Sequence, residues 1–502
     1  MNIFFFRPFL TFLFVMLMMN SIGNTQVFYV DQITGNDSNS GFNPGNAWAT
    51  ISKVNNHGFN AGDTILFCGG QTFEGTVHWK KLNGTADSKI TISSYGAGRA
   101  TISGGNAEAL IADSCSFLTI QNLNFTGAGR KNGNTTSGVV FNVCNHVFID
   151  SADVSGFQKA GVKITDSEDI TVTNVHAFEN GFAGILTGET YYEPFRLLSK
   201  NIYIGCCITE NNPGDPTVLD NHSGSGILIS GTDSAVVEYC LAKNNGWDQP
   251  WEGNGPIGIW AFHSNNVVIQ HCVAHSNKTN RKGWDGGGFD FDGGVTNSVM
   301  QYNLSYNNMG PGYGLYQYSG AAKWENNIVR YNISFNDGTA IDSCGLQIWN
   351  GQAAGPEMKN ALIYNNVFYN ESGKAVNYKN GNVPGLYYAN NLFISKLNPV
   401  SGKHSKSVFD NNLYWKTDAE RFDFKVDLNG IFEDPKLKIP ESNELQTELL
   451  KAGDFDFFKL LPGSPVIGKG KSITGNGGFD FWGTPLPTGA NQLNLGVWQQ
   501  NQ

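Results

Sequence analysis

A short segment recurs along this chain at intervals of roughly 20 to 34 residues, a spacing typical of stacked repeats. Its clear copies are ITVTNVHAFEN from Ile170, VVIQHCVAHSN from Val267, SVMQYNLSYNN from Ser298, NIVRYNISFND from Asn327 and ALIYNNVFYN from Ala361. Weaker copies are FLTIQNLNFTG from Phe117, HVFIDSADVSG from His146, IYIGCCITENN from Ile202 and AVVEYCLAKNN from Ala235, followed by YYANNLFIS and FDNNLYW. Each copy is short, β-branched and alternating, so each reads as a strand with one face inward. Strands that return once per turn stack in parallel, about 4.8 Å apart, and like residues then form ladders. Aligned without gaps, one column reads Asn122, Ser151, Val175, Cys207, Cys240, Cys272, Asn303, Asn332, Asn366, Asn391 and Asn412. A buried ladder of Asn amides satisfies itself by bonding along the stack.

A second strand in each turn opens on Gly or Ala: GVVFNVC at Gly138, GVKITDS at Gly161, GILTGET at Gly184, GILISGT at Gly226 and GIWAFHS at Gly258. The series continues with GFDFDGG at Gly288, GLYQYSG at Gly314, GLQIWNG at Gly345 and AVNYKNG at Ala375. Two or three short strands per turn, with glycine and asparagine at the corners, predict an all-β right-handed parallel β-helix of about eleven coils. The 61 glycines of this 502-residue chain, a share well above the usual level of roughly 7%, are what such corners require.

With these strands the chain resembles the secreted parallel β-helix family that includes pectate lyases, polygalacturonase-like glycoside hydrolases and alginate epimerases. FYVDQITGNDSNSGFNPGNAWATISKVN with GDTILFCGGQTFEG looks like the N-terminal cap of bacterial members; FKLLPGSPVIGKG with DFWGTPLP and LGVWQ looks like their closing segment. The expected organisation is a leader over 1–23, a cap with the first coils over 24–110, the β-helix over 111–415, and a closing segment over 416–502 packed on the helix. The resemblance implies action on a polysaccharide or oligosaccharide.

The leader is read from MNIFFFRPFLTFLFVMLMMNSIG, where Arg7 precedes a short apolar run and small residues mark a cleavage point. It predicts an exported protein, extracellular or periplasmic, with no membrane anchor, acting as a monomer. A net charge of −10 disfavours a nucleic-acid partner, which needs a basic surface. Most of the eight cysteines fall in strand-like runs, so packed free thiols are expected ahead of disulfides, although adjacent rungs are close enough to pair.

Alternation assigns the outward residues of the Gly-led strands. Reading down the coils gives Leu228 and Ser230, Trp260 and Phe262, Asp290 and Asp292, Tyr316 and Tyr318, Gln347 and Trp349, and Asn377 and Lys379. Outward aromatic residues on successive rungs call for a partner with apolar faces, and sugar rings have them. Asp290 and Asp292 sit amid this strip with backbones about 6.5 to 7 Å apart, a spacing suited to paired carboxylate chemistry at a glycosidic bond. Two long loops, NNGWDQPWEGNGP and NKTNRKGWDGG, add Trp251, Trp284, Asp285, Arg281 and Lys282 to the wall of a groove. Asp285 is a third candidate carboxylate, as general acid or metal ligand; Arg281 and Lys282 are candidates to hold an acidic sugar or to act as a lyase base.

The first expectation is therefore a glycoside hydrolase using Asp290, Asp292 and Asp285, which requires no cofactor. The second, following the pectate lyase resemblance, is a lyase or epimerase with calcium held by Asp285, Asp290 and Asp292. The third is a non-catalytic glycan-binding protein. The Gly-His-Gly and Arg-x-Lys strands of the polygalacturonase-like hydrolases are replaced here by GLYQYSG and GLQIWNG, and for a pectate lyase-like base no Lys or Arg stands outward on the next two rungs, Lys379 being three rungs from the Asp pair. The resemblance thus implies polysaccharide cleavage without fixing its mechanism.

Overall fold

The computed structural model describes residues 25–188, 196–351, 357–420, 422, 424–441, 445, 456–487 and 493–499. The leader expected over 1–23 lies outside the described residues. The chain winds as a solenoid of parallel strands. One face is a twelve-stranded sheet that starts at Val77–Lys80 and ends at Val400–Gly402; the rest is a 24-stranded sheet that bends around a corner. All pairings between named strands are parallel.

The corner has a residue-level cause. In the long strands Ser116–Gly127, Asn145–Ser155 and Glu168–Phe178 the backbone turns at Asn122, Ser151 and Asn174, all with φ between 51° and 54°. From the next coil the strand breaks there, as Ser199–Gly205 and Ile208–Glu210 flanking Cys206 at φ 54°. This register corrects the ladder column at two positions. Ala152 pairs with Leu123 and with Val175, so Leu123 and Ala152 stand in the inward column, while Asn122 and Ser151 are the turning residues beside it. Asn and Ser suit either place, because a short polar side chain tolerates the left-handed region as well as a hydrogen-bonded interior.

The amide ladder runs from Asn303 through Asn332, Asn366 and Asn391 to Asn412. Each Oδ1 accepts both the backbone N–H and the Nδ2 of the preceding coil's Asn, for example at 3.0 and 3.1 Å between Asn303 and Asn332. The ladder ends on Asp427, whose Oδ2 accepts both donors of Asn412 at 3.0 Å. Cys207, Cys240 and Cys272 continue the column as buried free thiols, and all eight cysteines are free. At the opposite corner a second ladder, not anticipated from the sequence, links Asn180, Asn212, Asn245, Asn277 and Asn308 and ends on Asp337.

Between the sheets lies one apolar column per inward position; Ile185, Ile227, Ile259, Phe289, Tyr313 and Leu346 are all fully buried. The N-terminal end is closed by the helix Ile51–Asn55, capped by the Thr50 hydroxyl, which puts Ile51 and Val54 over the first coil. Near the other end, Leu460, Val466, Leu495 and Val497 pack on the outside of the corner against Tyr302, Tyr331 and Tyr364.

Candidate active site

Six neighbouring strands carry the predicted site: Ser225–Ser230, Ile259–Phe262, Phe289–Phe291, Tyr313–Gln317, Cys344–Asn350 and Lys374–Asn380. Their register places Trp260 beside Asp290, Asp290 beside Gly314, and Gly314 beside Gln347. Tyr316 pairs with Trp349. The glycine that matches Gly288 is therefore Gly312, not Gly314. Lining up the coils on the wrong glycine of PGYGLYQYSG displaces Tyr316 and Tyr318 by two residues: Tyr316 belongs with Asp292, and Tyr318 follows the strand.

The outward residues are also not wet. Trp260, Phe262, Tyr316 and Gln347 are 2 to 5% exposed, because loops fold over the strands and enclose them. The result is a chamber of about 640 Å³ lined by Trp260, Phe262, Tyr316, Tyr318, Gln347 and Trp349 from the strand side. Trp284 and Asp285 come from one long loop and Asn254 from the other; Asn221 and His222 come from an earlier loop, and Asp292 and Lys379 from strand ends. Aromatic rings line one wall in series, with His222 edge-on to Trp260 at 4.8 Å and Trp260 stacked on Phe262 at 5.3 Å. Ser225 accepts the Trp260 indole N–H at 3.1 Å, and the Tyr318 hydroxyl meets His263 Nε2 at 2.7 Å. Gln347 accepts the Tyr316 hydroxyl at 2.9 Å, while its own buried Nε2 has no protein partner among the described residues.

The three carboxylates differ in access. Asp285 and Asp292 line the chamber. Asp290 is 2% exposed, and its Oδ1 accepts no hydrogen bond among the described residues. The Asp290 carboxyl and the Tyr316 ring both close on the empty side-chain position of Gly314. Burial raises all three pKa values, because a charge removed from water is costly. Asp285 is pushed up to about 6; against its burial stand the Gly255 N–H, donating at 2.9 Å, and the Lys379 charge. Asp292 is pushed up to about 7 by burial and by the Asp285 charge, opposed by the Gly293 N–H at 2.7 Å. Asp290 is pushed well above the usual carboxylate range by burial, then by the Asp292 and Asp285 charges.

Lys379 reaches the chamber despite standing three rungs from Asp290. Its ammonium pairs with Asp342 and lies 5.4 Å from the centre of the Trp284 ring. Three of the other expected residues are not in the chamber. Trp251 braces it from behind, donating at 2.9 Å to Asn254, which in turn donates at 2.9 Å to Asn221. Lys282 is exposed and paired with Glu252 at 2.7 Å, and Arg281 lines a separate cavity. The loops cross between the two cavities, and sequence position alone does not say which side each residue takes. Lys379 was legible as an outward residue; Asn221, His222 and Asn254 lie in aperiodic loops and left no such signal.

The carboxylates do not gather into a cation cage. Among the described residues no three His, Cys, Asp or Glu side chains converge as metal ligands. Asp285, Asp290 and Asp292 form no such set.

Parallel coils stacked beneath a loop-covered chamber of aromatic and carboxylate side chains define a right-handed parallel β-helix protein. The chain belongs to the right handed beta helix region family, whose model matches residues 45–249 and 217–393. It is 22% identical over 570 aligned positions to a lacto-N-biosidase of Bifidobacterium longum subsp. longum, covering 89% of this chain and 34% of that protein. The chain thus spans about a third of the length of that curated relative. Among solved structures, a GH136 lacto-N-biosidase from Eubacterium ramulus superposes with a TM-score of 0.54 at 16% identity, covering 77% of this chain and 67% of that one. The A-module of a mannuronan C-5 epimerase from Azotobacter vinelandii gives 0.50 at 13% identity, covering 69% of this chain and 91% of that one. These likenesses establish the fold. No described helix is long and apolar enough to cross a membrane.

Proposed function

We propose that the protein is an exported glycoside hydrolase that cleaves an oligosaccharide held in the chamber, with Asp285 and Asp292 as its catalytic pair. The observation that carries this reading is that both carboxylates open into one aromatic-walled chamber with pKa values of about 6 and 7. Glycosidic cleavage needs one protonated and one ionised carboxyl on either side of the bond, and two coupled acids in this range share a single proton near neutral pH. Asp292 is retained from the pair expected by strand alternation, and Asp285 replaces the enclosed Asp290. The rings of Trp260, Phe262, Tyr316 and Trp349 take the apolar faces of the sugar, and Gln347 Nε2 donates to one of its hydroxyls.

A volume of about 640 Å³ suits a few sugar rings better than a continuous polymer. The lacto-N-biosidase activity named for the relatives supports a hydrolase that acts on an oligosaccharide. Export rests on the leader expected over residues 1–23. The test is incubation of the secreted protein with an oligosaccharide panel, reading product masses alongside Asp285→Asn and Asp292→Asn. Hydrolysis that persists in both variants would end this assignment.

One observation favours a second reading, a polysaccharide lyase or epimerase: Lys379 supplies a cation in the chamber, where a lyase base would stand. Lyase products carry a C=C bond and absorb in the ultraviolet, so the same incubations separate the two. Binding of glycans with no product from any of them would instead favour a non-catalytic binding protein.

A further inference from the structure

The two long loops that cover the chamber turn another set of residues to their opposite side. There a groove of about 1080 Å³ runs along the second corner of the coils, and a smaller cavity of about 440 Å³ continues it, sharing Asn244 and Trp247. The floor is regular. Asn211, Asn244, Ser276 and Asn307 occupy the same turning position in four successive coils, with φ between 52° and 56°. Each turns outward because the next residue in the chain, Asn212, Asn245, Asn277 or Asn308, faces inward as a rung of the second amide ladder. The floor therefore offers amides and a hydroxyl at the coil pitch of about 4.8 Å, close to the length of one sugar residue in an extended chain. From Gly129 to Asn307 the two cavities span seven coils, about 30 Å.

Charge and one ring set the chemistry of the occupant. The lining holds five cations, Arg130, Lys131, Lys243, Lys278 and Arg281, against the carboxylates Asp248 and Glu179, in a chain of net charge −10. Asp248 accepts from Lys131 at 2.6 Å and also pairs with Arg130, while Lys278 donates to Asn244 at 2.8 Å. Trp247 stands between the two cavities, 50% exposed, with the Arg130 guanidinium 5.9 Å from its ring centre. The exposed indole offers a ring face on which a sugar occupying the groove can stack.

We propose that this groove is a second glycan-binding site, separate from the chamber, which takes an extended chain bearing acidic groups. Trp247 is its stacking platform, Lys278 and Arg281 meet the acidic groups, and the corner amides pair with hydroxyls. The proposal is independent of the chemistry in the chamber. It is tested by titrating the full chain with polygalacturonate, with neutral dextran as comparison, in the calorimeter.

The expected result is binding of polygalacturonate that weakens with added salt, falls at least about tenfold in Trp247→Ala, and is unchanged in Asp292→Asn. Arg281→Ala, a change at an exposed side chain, should weaken it as well and keeps the test intact if the Trp247 variant folds poorly by circular dichroism. Absence of binding, equal binding of dextran, unchanged affinity in both groove variants, or loss of binding in Asp292→Asn would each overturn the proposal.

Discussion

Asp290 and Gly314 are register neighbours, and a Cβ built on Gly314 would lie 3.0 Å from Asp290 Oδ1 and 2.6 Å from the Tyr316 ring. The space that Gly314 leaves empty lets the ring and the carboxyl meet, and a methyl group there has no free volume. Gly314→Ala should destabilise the protein by about 1 to 3 kcal/mol through overpacking and push Tyr316 off Gln347. Thermal unfolding checks the first consequence, and an unchanged melting temperature would contradict it.

Asn substitution separates the three carboxylates. Asp285→Asn and Asp292→Asn should each lower turnover by about 10²- to 10⁴-fold, the usual contribution of a positioned acid or base. Asp290 is enclosed and does not line the chamber, so Asp290→Asn should stay within about tenfold of the parent. If Asp290→Asn proved as inactive as Asp292→Asn, the pairing of Asp285 with Asp292 would be wrong.

The raised pKa values predict a bell-shaped dependence of kcat/KM on pH, with limbs near 6 and 7 that belong to the coupled pair. The same shifts act on stability. Both carboxyls keep their protons to higher pH in the folded chain than their ordinary value of 3.8, so the folded state loses stability as pH rises from about 4 through 7. Asp292→Asn escapes that loss. Its melting temperature should match the parent near pH 4 and exceed it at pH 8; a constant difference across that range would count against the shift.

Asn332 is fully buried and accepts two hydrogen bonds from Asn303 while donating to Met300 O at 2.8 Å and to Asn366 at 3.1 Å. Asn332→Ala strands donors on one side and acceptors on the other. A loss of about 2 to 5 kcal/mol in denaturant unfolding is expected. Asn332→Asp restores the acceptor alone and should recover only part of it.

The sequence disclosed the architecture because period and alternation are properties of every coil, so an error in one copy is outvoted by the others. It misled where two residue types satisfy neighbouring places equally. Asn122 and Ser151 turn the chain in positions one residue from the ladder they resemble. Gly314 and Gly312 both open plausible strands, and only the pairing with Asp290 tells them apart. The second ladder was in plain view in ITENN, LAKNN and SYNN, where the last Asn turns in and the one before it turns out. Asp292 was legible from alternation; the enclosure of Asp290 beneath Tyr316 and the entry of Asp285 depend on loops whose course no periodicity encodes.

Both amide ladders point the same way along the chain, each Asn offering donors to the coil after it, and both finish on an aspartate that accepts without donating in return. The stack therefore has a direction and a terminator. An interior coil can be duplicated or removed with its amide passing the bond along, whereas Asp337 and Asp427 cannot be followed by another rung of the same kind. The two stops fall at different places: the coils run on past Asp337 through Val367–Asn370, Leu392–Ser395 and Leu413–Lys416, so one ladder ends inside the solenoid, whereas Asp427 ends the other beside the last coil. The coils along each ladder form a modular length of scaffold on which chambers and grooves can be rearranged without rebuilding the core.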